Sequence, residues 1–61
     1  MIHNGRVYFK DRYNNVYCYE IENQEDVYYC CNSRLALNTL ISMDMYRLEK
    51  SYKVKMEEIR L

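Results

Sequence analysis

Proline and tryptophan are missing from this chain, and glycine occurs once, at Gly5. A sequence so poor in proline and glycine lacks the composition of a linker or a low-complexity tract. Its 49% hydrophobic content marks it as one that folds. Neither sign of charge is in excess, since nine Lys and Arg face nine Asp and Glu. The balance removes the general argument for nonspecific nucleic-acid binding, which needs surplus cations, and equally the argument for an acidic nucleic-acid mimic. No apolar run approaches the ~20 residues that span a bilayer, so no membrane is expected as a partner. Residues 1–6 lead into no apolar stretch of the signal-peptide kind. Paired cysteines are lacking too: Cys18, Cys30 and Cys31 are odd in number, and the last two are adjacent. A relaxed bridge between neighbours is disfavoured, and secreted domains of this size carry more, evenly paired cysteines. The expected compartment is a reducing cytoplasm.

With 61 residues the chain has room for a single small domain, 1–61. Such a domain buries only ~60% of the surface its unfolded form exposes, so efficient packing or a partner subunit has to supplement its core.

The first structural signal is a hairpin. Residues 6–12 and 16–22 are rich in β-branched and aromatic side chains, and Asn14 and Asn15 between them suit a tight turn. By the period of two, Val7 and Phe9 oppose Tyr8, Lys10 and Arg12 on the first strand. Tyr17, Tyr19 and Ile21 oppose Val16, Cys18, Glu20 and Glu22 on the second. The Val7, Phe9, Tyr17, Tyr19 side is the expected core face, since an isolated hairpin is marginal in water. Asn23 to Asp26 reads as a polar break and 27–31 as a short third strand, with a helix start over 24–31 as the alternative.

Asn32 and Ser33 form an N-cap pair for an amphipathic helix over about 34–50, where Leu37, Leu40, Ile41, Met45 and Leu48 recur at helical spacing. Residues 51–61 read either as a continuation of that helix or as a strand over 52–58. Val54 and the Ser51–Tyr52 interruption favour the strand. The expected fold is therefore α+β, a small antiparallel β-meander packed on one helix.

Catalytic and cofactor signatures are thin. Zinc sites want cysteines two to four residues apart, whereas here the close pair is adjacent and would point to opposite faces of a strand, so inert, buried cysteines are expected. His3 is the sole histidine and lies in a terminus expected to fray. The acidic stretch of Glu20, Glu22, Glu25 and Asp26 flanks a turn, and a chain this short has little room for a cleft of ~300 Å³. No enzyme, metal or cofactor is expected. The acidic stretch and a later basic one (Arg47, Lys50, Lys53, Lys55) are read as two solvated faces.

What the chain has in abundance is tyrosine, eight residues against one phenylalanine. That exceeds what a small core encloses, so several lie exposed, where tyrosine gives contact area at low entropy cost. Tyr8, Lys10, Arg12 and Tyr13 are the expected partner-binding patch. The leading reading is a non-enzymatic protein-binding module, its partner a host protein or a second copy in a homodimer. The alternative is single-stranded nucleic acid, with tyrosines stacked on bases and Lys10 and Arg12 on phosphate. In its short length and its Asn, Tyr, Lys, Ile and Glu content the chain resembles small orphan proteins of phages and mobile elements in AT-rich bacteria. That resemblance implies a stoichiometric inhibitor or modulator of a host protein.

Overall fold

A computed structural model describes residues 1–43 and 51–59. Five strands, β1 (Ile2–His3), β2 (Arg6–Lys10), β3 (Asn15–Glu20), β4 (Asn23–Asn32) and β5 (Tyr52–Val54), form one antiparallel sheet in sequence order. A helix, α1 (Leu37–Ser42), and a 3₁₀ turn, Met56–Glu58, complete the described elements. The architecture is α+β with a small helix.

Each connection follows from a backbone preference. Asn4 (φ 51°) and Gly5 (φ 75°) are both left-handed, the requirement of a two-residue hairpin turn whose twist matches its strands. The first residues, expected to fray, are therefore paired: Ile2 faces Val7 and His3 faces Arg6. The terminal ammonium of Met1 donates to the Tyr8 carbonyl at 2.9 Å. β2 stops at Lys10, two residues before the expected end, and residues 11–14 make the turn, with Asn14 at φ 67°. Asn15 already belongs to β3.

The next turn is Ile21 and Glu22, not the polar segment that follows. Asn23 to Asp26 continue as strand, so β4 has ten residues where 27–31 was expected. Polarity misleads here because this part of β4 uses its polar groups: Asn23 Nδ2 donates to Asp26 Oδ2 at 2.9 Å, and Lys53 on β5 reaches Asp26 Oδ1 at 3.1 Å. At the other end the expected N-cap pair serves the sheet and loop. Asn32 closes β4, Ser33 Oγ accepts from the Leu35 amide at 3.1 Å, and the helix starts behind Ala36. The helix spans six residues up to Ser42; the remainder of the expected helix, with Met45 and Leu48, lies outside the described residues. The C-terminal strand is real but short, giving way to the 3₁₀ turn within the expected 52–58.

The alternation of side chains is as the period of two requires, but the helix covers the face opposite to the expected one. Tyr8, Val16, Cys18 and Leu40 form the buried cluster, joined by Tyr28, Cys30, Cys31, Leu37 and Ile41. The other face carries a row of rings across four strands. Phe9 stacks on Tyr17 (5.6 Å between centroids), Tyr17 meets Tyr29 edge-on (5.8 Å), and Tyr29 meets Tyr52 (5.2 Å). Size decides which face takes the helix. Valine and cysteine leave depth for Leu37, Leu40 and Ile41, whereas neighbouring rings cover one another's faces and fill their own layer.

A one-residue register shift lies between Val16 and Tyr17, placing Cys30 as the extra residue between Tyr29 and Cys31. A bulge breaks the alternation locally. Both Cys30 and Cys31 consequently pack against the helix-side cluster, contrary to the expectation that neighbours point apart.

Leu40 is fully buried (0% exposed). Leu40→Ala is expected to cost about 2–5 kcal/mol, a large share of the stability of so small a domain. Met43→Ala, at an exposed position, should stay within about 0.5 kcal/mol. Urea titration of both variants checks the contrast.

Candidate functional site

The most heavily hydrogen-bonded side chain among the described residues is a carboxylate in a turn. Asp11 follows the last residue of β2 and is 6% exposed. Its Oδ1 accepts the amides of Tyr13 (2.8 Å) and Asn15 (3.0 Å), and its Oδ2 accepts Asn15 Nδ2 (3.0 Å) and the Tyr17 hydroxyl (3.2 Å). The backbone closes the same loop, with the Asp11 amide donating to the Asn15 carbonyl at 3.0 Å and the Asn14 amide to the Asp11 carbonyl at 3.3 Å. Aspartate suits this place because its short side chain reaches the amides two and four residues on, mimicking a backbone turn.

Burial opposes the charge on Asp11, yet the hydrogen bonds from Asn15, Tyr13 and Tyr17 outweigh it and hold its pKa below the usual value. Burial, then the Asp11 charge, pushes the Tyr17 phenol up, so Tyr17 remains a donor.

β4 and the loop after it hold the turn from the other side. Asn32 Nδ2 donates to the Tyr13 carbonyl (2.9 Å) and to Asn15 Oδ1 (2.8 Å), and the Ser33 amide donates to the Asn14 carbonyl (2.9 Å). Lys10 Nζ donates to the carbonyls of Ser33 and Leu35, each at 2.6 Å. The side chains left pointing out of this frame are Arg12, exposed, and Tyr13, 56% exposed. The Arg12 guanidinium lies over the Tyr13 ring, 5.6 Å from its centroid. Arg34 and Leu35, both exposed, belong to the loop that Lys10 holds at this end.

Of the four residues expected to form one patch, the structure brings only two together on the surface. Tyr8 is 3% exposed and part of the core, which corrects its assignment to an outer face. Lys10 is half-buried and its ammonium is engaged by two carbonyls. Arg12 and Tyr13 remain as an exposed cation–aromatic pair. Asp11, which fixes that pair, was not singled out in the sequence; Asn15, Tyr17 and Asn32 were read for the turn, the core face and a helix cap and not for this frame. An aspartate ahead of a left-handed asparagine was the available signal.

At the opposite end of β3 an open depression of about 350 Å³ is lined by Asn4, Gly5, Glu20, Ile21 and Glu22, larger than the cleft expected. All five residues are exposed, so water reaches its carboxylates. Among the described residues no group of three or more His, Cys, Asp and Glu side chains is arranged to hold a metal ion, and no helix is long and apolar enough to cross a membrane. No protein-family model, curated protein or solved structure matches the chain.

The Asp11 carboxylate gives a pH signature with a definite sign. Its folded pKa is depressed, so its contribution to stability is complete above the unfolded value of ~3.9 and is lost as pH falls through the folded value. Urea midpoints between pH 5 and pH 2 should fall more steeply for the wild type than for Asp11→Asn. At neutral pH Asp11→Ala should cost about 2–3 kcal/mol and Tyr17→Phe about 1 kcal/mol.

Proposed function

We propose that this chain is a non-enzymatic binding module that docks onto a protein partner through Arg12 and Tyr13. The observation that carries the reading is the contrast at the turn: a large aromatic side chain 56% exposed, on a backbone fixed by a nearly buried carboxylate. An exposed ring on a fixed backbone loses little entropy when it is bound, which is how an anchor residue gains affinity. The guanidinium above the ring adds a charge, and exposed Arg34 adds another at the same end. A partner suited to this end presents an apolar pocket for the ring with carboxylates at its rim.

The compositional resemblance to phage and mobile-element proteins supports a host protein as that partner and stoichiometric occlusion as the mode. Single-stranded nucleic acid is the weaker reading, because Tyr8 is in the core and Lys10 is engaged. One ring and one cation then remain from the proposed stacking and phosphate contacts.

The test compares the wild type, the Arg12→Ala/Tyr13→Ala double variant and Tyr52→Ala, which removes a different exposed ring (61%). A protein bound saturably by the wild type and by Tyr52→Ala, but about tenfold or more weakly by the double variant, supports the turn as the anchor. Equal binding by all three at equal thermal stability contradicts it. Light scattering on the same set identifies a second copy as the partner, and salt-sensitive binding to a single-stranded oligonucleotide would replace the protein reading.

A further inference from the structure

The bulge in β4 places two thiols where they can react with one another. Cys18 on β3 and Cys30 on β4 lie on the helix side of the sheet with their Sγ atoms 3.3 Å apart. The two differ in exposure as residues: Cys18 is 1% exposed, whereas Cys30 is half-buried. They also differ in surroundings, because the Ser51 hydroxyl donates to Cys30 Sγ at 3.7 Å. We propose that Cys18 and Cys30 form a peroxide-sensitive dithiol, Cys30 being the thiol that meets the oxidant and Cys18 the one that closes a β3–β4 disulfide.

The order of events follows from the geometry. A Cys30 thiolate is stabilised first by the Cys18 S–H that donates to it, against burial, and then by the Ser51 hydroxyl and Arg6, so its pKa lies below that of an ordinary thiol. Cys18 is raised, first by its hydrogen bond to Cys30 and then by burial, and it keeps its proton. Glu20 adds to this rise and Arg6 opposes it.

The Cys30 sulfur attacks the O–O bond of a hydroperoxide, forming an S–O bond and releasing water or an alcohol. Oxidation of Cys30 removes the negative neighbour that held the Cys18 proton. Cys18 then attacks the Cys30 sulfur, an S–S bond replaces the S–O bond, and the departing hydroxide takes the Cys18 proton as water. In sum two thiols and one hydroperoxide give one disulfide with one water and one alcohol, or two waters from hydrogen peroxide. The sulfurs must close from 3.3 Å to about 2.05 Å. Side-chain rotation and the bulge, where the ladder is already interrupted, supply that movement.

The chemistry is independent of the Arg12 and Tyr13 surface and stands or falls separately. The experiment is treatment of the folded chain with stoichiometric hydrogen peroxide, followed by alkylation and mass spectrometry without reduction. Cleavage after Glu20, Glu22 or Glu25 separates Cys18 from Cys30 and Cys31. The expected product is a monomer lighter by about 2 Da, the loss of two hydrogens, with the Cys18 peptide linked to the Cys30–Cys31 peptide. Cys31→Ser should give the same link, which fixes Cys30 as the partner. A link lost in Cys31→Ser, a disulfide between chains, an oxygen adduct that never closes, or an unchanged mass each overturns the proposal.

Discussion

One buried carboxylate, Asp11, holds the β2–β3 turn of this molecule in shape. Asp11 takes two amides, a side-chain amide and a hydroxyl, and so fixes Tyr13, Asn15 and Tyr17 with one charged group. Its bonds to Asn15 set where β3 begins, and therefore which residues of β2 and β3 face each other. The bond from Tyr17 ties the turn to the row of rings on the sheet, linking the backbone of the loop to a side chain 3% exposed. Charge inside a small domain is costly unless every lone pair is used, and here the donors outnumber the oxygens two to one. The same bonds that stabilise the ionised form present Arg12 and Tyr13 outward.

The two faces of the sheet solve different packing problems. Under the helix, Val16, Cys18, Cys30 and Cys31 are small enough to admit Leu40 to full burial. On the far side, rings tile from Phe9 through Tyr17 and Tyr29 to Tyr52, and the row ends in an exposed ring at the β5 edge. The bulge serves the first face at the expense of regular pairing. By turning Cys30 and Cys31 to one side it completes the layer beneath the helix, and in the same movement it brings Cys30 to Cys18.

The meander, the alternation along β2 and β3, the Leu37, Leu40 and Ile41 stripe and the β5 strand were legible because each rests on local periodicity. The side chosen by the helix was not, since Lys10, Glu20 and Glu22 mark that side as polar at its ends, while its centre at Tyr8, Val16 and Cys18 is apolar and takes the helix. Asn4 and Gly5 carried a readable hairpin signal, as both positions accept left-handed backbone, yet closeness to the terminus argued for fraying. Polar content marked Asn23 to Asp26 as a break although its groups satisfy one another and Lys53 in a strand. A bulge leaves no residue-level mark, so the facing of Cys30 and Cys31 could only come from the register. Tyrosine abundance rightly implied exposed rings. Tyr13 is one of them and Tyr8 is not, because Tyr8 stands opposite Cys18 on the small-residue side where a ring fills depth.

Asp11 keeps an exposed turn rigid, and amide hydrogen exchange at Tyr13 and Asn15 reads that rigidity residue by residue. Both amides donate to Oδ1 of Asp11, at 2.8 Å and 3.0 Å. In the wild type both should exchange far more slowly than in an unstructured peptide, approaching the β2 and β3 amides, and faster once Asp11 is replaced by alanine. Exchange at the unstructured rate in the wild type would contradict it.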